Sequence, residues 1–404
     1  MCYDLSHCMS LLLCHLKQSR YKMFSKINDK YILLYFFHIT RFILDSEYLR
    51  MKSNTYYNNV YQLISEDFNS GQAHEVIREW RSHNIYALDI ASKLLERIVK
   101  NLDLKNCYTG QRLKRLVSIK QKLVKSEGMR LTKMQDIVGV RLVVNDLKEL
   151  AKVVKLLQDG KILGRNISIV REFNYIKKPK EDGYRSYHIT FEIKNKHRGI
   201  EYKRLFELQV RTKSQHAWST VVETIGTYMG VDFKGGDGEK DWKSFFKESS
   251  YIFSWFEKFE SGRKHLTIGD AEEVIRGSIR LKEIMLELKI TELLVLLNNM
   301  TSDISYKLNE TSKNDYAIIF IDYIKKESVV RTYPKAASKT VNNLYIRLEE
   351  ELNYTDQIQV LFVEITNLTN LRKAFPNFYI DVSEFIIILK RYFNRLNDYA
   401  SNLS

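Results

Sequence analysis

Apolar residues recur at helical spacing along EVIREWRSHNIYALDIASKLLERIVKNL, and that spacing predicts helices over residues 57–104. The next stretch, YTGQRLKRLVSIKQKLVKS (108–126), reads as another amphipathic helix with Leu113, Leu116, Val117, Leu123 and Val124 as its buried stripe. The period then shortens. IVGVRLVV (137–144), ISIVREF (167–173), YHITFEIK (187–194) and LFELQVRT (205–212) read as strands. LKELAKVVKLLQD (147–159) and QHAWSTVVETIGTYM (215–229) return to helix. The order predicts an α/β (α+β) domain over 105–230, a mixed β-sheet flanked by helices.

Gly235, Gly236 and Gly238 mark a loop, and KDWKSFFKESSYIFSWFEKF reads as helix, so 231–264 is expected to be a loop and helical connector. GDAEEVIRGSIRLKEIMLELKITELLVLLNNM (269–300) predicts one long helix or two shorter ones. Strands at 316–324, 328–333 and 357–365, with a helix at 336–353, predict a second, C-terminal α/β domain over 265–404, read as regulatory. Residues 1–50 differ in character from the rest of the chain. They are expected to be an atypical leader from an over-long reading of the gene, with Met51 as the start of a helical segment, 51–104.

Composition adds a direction. The net charge is +15 and the pI about 9.3, which favours anionic partners such as nucleotides or RNA. Cys2, Cys8, Cys14 and Cys107 make no disulfide framework and no CxxC pair, which points to a reducing, cytoplasmic setting and away from zinc. No run of eighteen apolar residues occurs, so no membrane span is expected.

The candidate chemistry begins at LFELQVRT. Strand alternation sends Phe206, Leu208 and Val210 one way and Glu207, Gln209 and Arg211 the other, either as a solvated face or as a working surface. His216 follows at a strand-to-helix turn. Asp136 opens the strand MQDIVGVRLVV. If the two strands are neighbours, Asp136 and Glu207 can share a magnesium ion, a hard cation suited to carboxylates and phosphates. Lys114, Ser118 and Lys122 recur at i, i+4 and i+8. From Lys105 to Lys133 nine Lys and Arg stand against one acid, Glu127, an excess that phosphates explain. In GYRSYH, Tyr184 reads either as a turn tyrosine packing locally or as a ring that Gly183 releases to lie flat on a purine, where base stacking would contribute roughly 1–3 kcal/mol. Lys177, Lys178, Lys180 and Arg185 are placed to meet phosphates. Neither GxxxxGK[ST] nor GxGxxG is present, so an ATP site here is of another design.

QRLKRLVSIKQKL, MQDIVGVRLVV, PKEDGYRSYH and ELQVRTKSQHAW, in this order, resemble the RelA/SpoT synthetase domain over 105–230. The resemblance implies a nucleotidyltransferase-like fold. It implies transfer of the β,γ-pyrophosphate of ATP to the ribose 3′-hydroxyl of GDP or GTP, making (p)ppGpp alarmones. Asp136 would then be a magnesium ligand, and Glu207 a second carboxylate that binds metal or takes the hydroxyl proton. Arg112 would pack on the ATP adenine, with Lys114, Ser118 and Lys122 on its phosphates. Tyr184 would stack on the acceptor base, and Lys180, His188, Gln209, Arg211 and His216 would line the acceptor side. Phe173 stands where the family often has lysine, with Arg171 as a substitute, and Asp182 stands where asparagine often precedes GY. There is no His-Asp pair of the hydrolase type, so a synthesis-only enzyme is implied. Two alternatives stay open: a toxic relative that modifies the tRNA 3′ CCA end or makes adenosine alarmones, and an inactive RNA-binding or sensor protein. A homo-oligomer, and a protein regulator acting through 265–404, complete the expected partners.

Overall fold

Five strands carry the alternation: β1 (Tyr108–Leu113), β2 (Val138–Val144), β3 (Ile167–Asn174), β4 (Tyr187–His197) and β5 (Ile200–Thr212). The computed structural model describes residues 54–126, 128–197, 200–261, 268–299, 316–322, 327–337, 358–364 and 382–403, with a few further positions between 325 and 348. The readings for residues 1–50 lie outside these. The chain divides into two compact units, Met1–Tyr57 and Asn58–Ser404, and the second holds every element below. Its helical lead-in consists of α1 (Val60–Glu66), α2 (Gly71–Ser82) and α3 (Ile85–Asn101).

The strands order as β1-β2-β5-β4-β3. β2 and β5 pair in parallel; the other pairs are antiparallel. The predicted mixed sheet is therefore present. One expectation fails at its edge. Residues 108–113 are strand, and the helix α4 begins only at Leu116 and ends at Lys125. Gly110 weakens a helix there, and the open edge of β2 supplies a ladder partner instead. The buried side of α4 is Leu116, Ile119, Lys120 and Leu123, while Val124 is exposed.

One face of the sheet is apolar. Val138, Val140, Leu142 and Val144 join Phe206, Leu208 and Val210 with Ile189, Phe191 and Ile193 under α3 and α5 (Leu147–Gln158). Phe191 and Phe206 are register partners and stack at 4.8 Å. Each such side chain contributes about 1.5–3 kcal/mol on burial, so this face fixes the register. The opposite face is consequently fixed too, because a one-residue slip would exchange them.

The opposite face is covered by α6 (Lys213–Met229). It opens with a capping box between Thr212 and Gln215 and closes on Gly230 in the left-handed region. Gly226 lets the chain turn back closely: a Cβ there would lie 2.7 Å from the Val231 carbonyl oxygen. Gly226→Ala is expected to destabilise the fold by about 1–3 kcal/mol, read as a lower urea midpoint with an unchanged slope.

α7 (Lys240–Glu260) does not behave as a connector. Its Phe245, Phe246, Phe253 and Phe256 share one buried cluster with Tyr184 and Trp218 on one side and Leu281, Ile319, Phe385 and Tyr392 on the other. Phe256 stacks on Tyr392 at 4.0 Å. This one cluster thus joins α6, α7, the strand at 316–322 and the helix at 383–403 among the described residues. Residues 269–300 resolve into α8 (Ile268–Glu287) and a second helical stretch at 290–299, parted at Lys289, whose φ is 50°. β6 (Tyr316–Asp322), β7 (Glu327–Tyr333) and β8 (Ile358–Glu364) form an antiparallel sheet ordered β7-β6-β8. α9 (Ser383–Leu403) packs on α6 and α7. Among the described residues no helix is long and apolar enough to cross a membrane.

Candidate active site

Side chains at paired positions share a face, so the register itself assembles the polar surface. Arg112 faces Gly139, Gly139 faces Glu207, and Glu207 faces Thr190. The next row is Gly110, Arg141, Gln209, His188 and Phe173. Gly139 places a position without a side chain between Arg112 and Glu207.

Asp136 lies in the turn leading into β2. Lys114 Nζ and Lys122 Nζ bind its two carboxylate oxygens at 2.8 and 2.9 Å. Burial would raise its pKa, but the two ammonium groups outweigh that and hold it at about 2. The lysines reach it from different elements. Lys114 precedes α4 and is fixed by its backbone N–H donating to the Ile137 carbonyl at 2.8 Å, whereas Lys122 is on the helix. Ser118 is partly buried on the same helix. The rest of the basic run divides. Lys120 is 2 % exposed and its Nζ donates to the Phe68 carbonyl at 2.6 Å, and Lys125 pairs with Asp232 at 2.8 Å. Those two lysines serve packing and surface pairing rather than phosphates.

Glu207 meets His188 Nδ1 at 3.2 Å and accepts from Gln209 Nε2 at 2.8 Å. Burial alone would raise its pKa; His188 and Gln209 together keep it below the usual carboxylate value, against an opposing push from the charge of Asp136. The two carboxylates are therefore electrostatic neighbours. Burial lowers the pKa of His188, and the neutral ring with its proton on Nδ1 completes a directed chain. Arg211 Nη2 donates to Tyr184 Oη at 2.6 Å, Tyr184 donates to His188 Nε2 at 2.7 Å, and His188 donates to Glu207. Arg211 Nη2 also donates to Gln209 Oε1 at 2.8 Å.

Tyr184 is consequently a buried hub, 6 % exposed, and not the freely presented ring that the glycine suggested. Lys180 Nζ and the Arg211 guanidinium each lie 5.1 Å from its ring centroid. Tyr175 meets it edge-on at 5.9 Å. Gly183, at φ 91°, serves a close approach: a Cβ would stand 3.2 Å from the Phe246 carbonyl oxygen. Arg185 is also corrected. It binds Glu257 of α7 at 2.5 Å, with both side chains 6 % exposed or less. Lys177, Lys178 and Lys180 remain exposed. His216 is buried in the first turn of α6, over the polar face.

Three charged groups escaped the sequence reading. Glu223 of α6 pairs with Lys234, and both feel Arg141. Glu223 is held well below the usual carboxylate range: Lys234, Arg141 and Arg112 overcome the cost of its burial. Burial lowers Lys234 to about 8 and Arg141 to about 9. Arg141 was findable, since it shares the parity of Gly139 in a strand paired to Glu207.

Asp136 and Glu207 are both held ionised, with the charge of Asp136 felt by Glu207, and their oxygens are of the kind that suits a hard divalent cation such as magnesium. The surrounding arginines and lysines fit phosphates. Fold and site together define an α/β domain with two ionised carboxylates and a cationic surround on one face of its sheet. Residues 111–229 match the family described as "Region found in RelA / SpoT proteins", and the chain carries a RelA/SpoT-type synthetase domain there. It is 30% identical over 125 residues to the GTP pyrophosphokinase YwaC of Bacillus subtilis, covering 29% of this chain and 57% of that protein. It is 29% identical over 92 residues to the GTP pyrophosphokinase YjbM of the same organism, covering 23% and 42%. The chain thus spans about half the length of the curated relatives it matches. Among solved structures it is similar to small alarmone synthetase 2 of B. subtilis, at 23% identity and a TM-score of 0.39, over 46% of this chain and 97% of that one.

Proposed function

We propose that this chain transfers the β,γ-pyrophosphate of ATP to the ribose 3′-hydroxyl of GDP or GTP. The observation that carries this reading is the pair Asp136, in the turn leading into β2, and Glu207 on the neighbouring β5, each kept ionised and the charge of Asp136 felt by Glu207. The relatives named as GTP pyrophosphokinases support the choice of nucleotides. Lys114, Ser118 and Lys122 hold the donor phosphates, and Arg112 holds the donor base. Lys180, Gln209, Arg211 and His216 hold the acceptor beside Tyr184. Glu207 takes the proton of the attacking hydroxyl, and His188 keeps that carboxylate oriented and charged. Magnesium bound by Asp136 and Glu207 would neutralise charge on the transferring group. No covalent nucleophile is required.

The test is a transfer assay with γ-³²P-labelled ATP and magnesium, offering GDP, GTP, AMP, ADP and deacylated tRNA separately. Label on GDP or GTP is the expected result. Label on tRNA or an adenosine nucleotide alone overturns the acceptor assignment, and label on none overturns the activity.

The reaction should also be alkali-sensitive. Lys234, 5.8 Å from the Tyr184 ring, is charged below about pH 8 and loses its charge above it. kcat/KM is therefore expected to fall as pH rises through about 8, and Lys234→Arg should keep it flat in that range. A wild-type profile that is level from pH 7 to 10 would contradict the assignment.

A further inference from the structure

Behind the loop that carries Tyr184 lies a cavity of about 430 Å³, and of the residues assigned to the transfer site only Lys180 lines it. Gly183 and Arg185 line it, whereas Tyr184, between them, joins its ring to His188 and Arg211. Lys177, Lys180, Lys247 and Lys258 bring positive charge to the wall, and no acid is among the described residues lining it. Trp255 and Phe259 bring rings that stack on each other at 5.7 Å, with planes 1° apart. Arg185 is more than nine-tenths buried and fixed in the wall, with Nε donating to Ser250 and Nη1 to Glu257. Cations and flat apolar rings in a space of this size suit an aromatic base bearing phosphates.

We propose that this cavity is a second binding site, for a nucleotide. Its wall is also the acceptor loop's: Lys180 lines it while standing 5.1 Å from the Tyr184 ring, and Ser250 of α7 donates to the Gly183 carbonyl at 2.5 Å. A nucleotide bound there draws on Lys180 and fixes the loop, so it alters the KM for the acceptor more than that for ATP. This last consequence rests on the transfer reading; the binding site does not.

Calorimetric titration of the full-length protein with GTP, without magnesium, is expected to show two binding events. Lys247→Glu combined with Lys258→Glu changes two exposed residues outside the transfer site, and should weaken one event at least about tenfold while leaving the melting temperature and the other event in place. Inorganic triphosphate, which lacks a ring, should bind that site at least about fivefold more weakly than GTP. No event weakened by the double variant, or equal binding of triphosphate and GTP at the event it weakens, would each overturn the second site. A failed transfer assay leaves the titration to decide it.

Discussion

Asp136→Asn is expected to lower pyrophosphate transfer at least about a thousandfold while the circular dichroism spectrum stays native. The substitution keeps shape and removes the charge that Lys114 and Lys122 surround. It has a second, independent signature in stability. The folded pKa of Asp136 is depressed from 3.8 to about 2. A depressed carboxylate contributes stability above its unfolded pKa and loses it as pH falls through the folded value. That contribution is about 2 kcal/mol at neutral pH. The stability gap between wild type and Asp136→Asn should therefore be present at pH 7 and close between about pH 4 and pH 2. Denaturant titrations at pH 7 and pH 3 measure it. A gap that widens in acid would mean that the lysines do not govern this carboxylate.

The largest loss of stability is expected from Arg185→Met. The Arg185–Glu257 pair is 3 % and 6 % exposed, and Glu257 also accepts from Thr212 Oγ1 and Gln215 Nε2. Removing the guanidinium leaves a buried carboxylate without its cation, which costs about 3–5 kcal/mol. Adding Glu257→Leu should recover a large part of that cost, because the stranded charge is then gone. A single variant as stable as wild type would show that the pair is not closed in solution. The double variant separates charge from packing, since it restores neutrality without restoring the hydrogen bonds to Thr212 and Gln215.

The strand LFELQVRT was legible because alternation is local: Glu207, Gln209 and Arg211 share a face, as their spacing requires. The placing of Asp136 near Glu207 was conditional on two strands being neighbours, and β2 and β5 are. What was illegible depended on distant chain. Residues 108–113 carry a helical period, and only the free edge of β2 makes them strand. GYRSYH looks exposed when read alone, with a glycine and cations around its tyrosine. Its cover, α7, arrives much later in the sequence and takes Arg185 for itself. Lys114 and Lys122 share a spacing that reads as one helix face, yet one of them is positioned by a strand end. Glu223 and Lys234 carried no signal, since a Glu on a helix and a Lys in a glycine-rich loop are ordinary until α6 is laid over Arg141.

The order β1-β2-β5-β4-β3 has a consequence for the newly made chain. β5 is the last of the five to leave the ribosome and the one that must enter the middle. Until it does, β1–β2 and β4–β3 are two separate ribbons with open inner edges, and Asp136 and Glu207 belong to different pieces. A nascent chain stopped before residue 200 has no second carboxylate on this face. The two half-sheets are therefore joined in one late step of folding, when a central strand zips them together. Those same inner edges are where chains caught before that step would pair with each other.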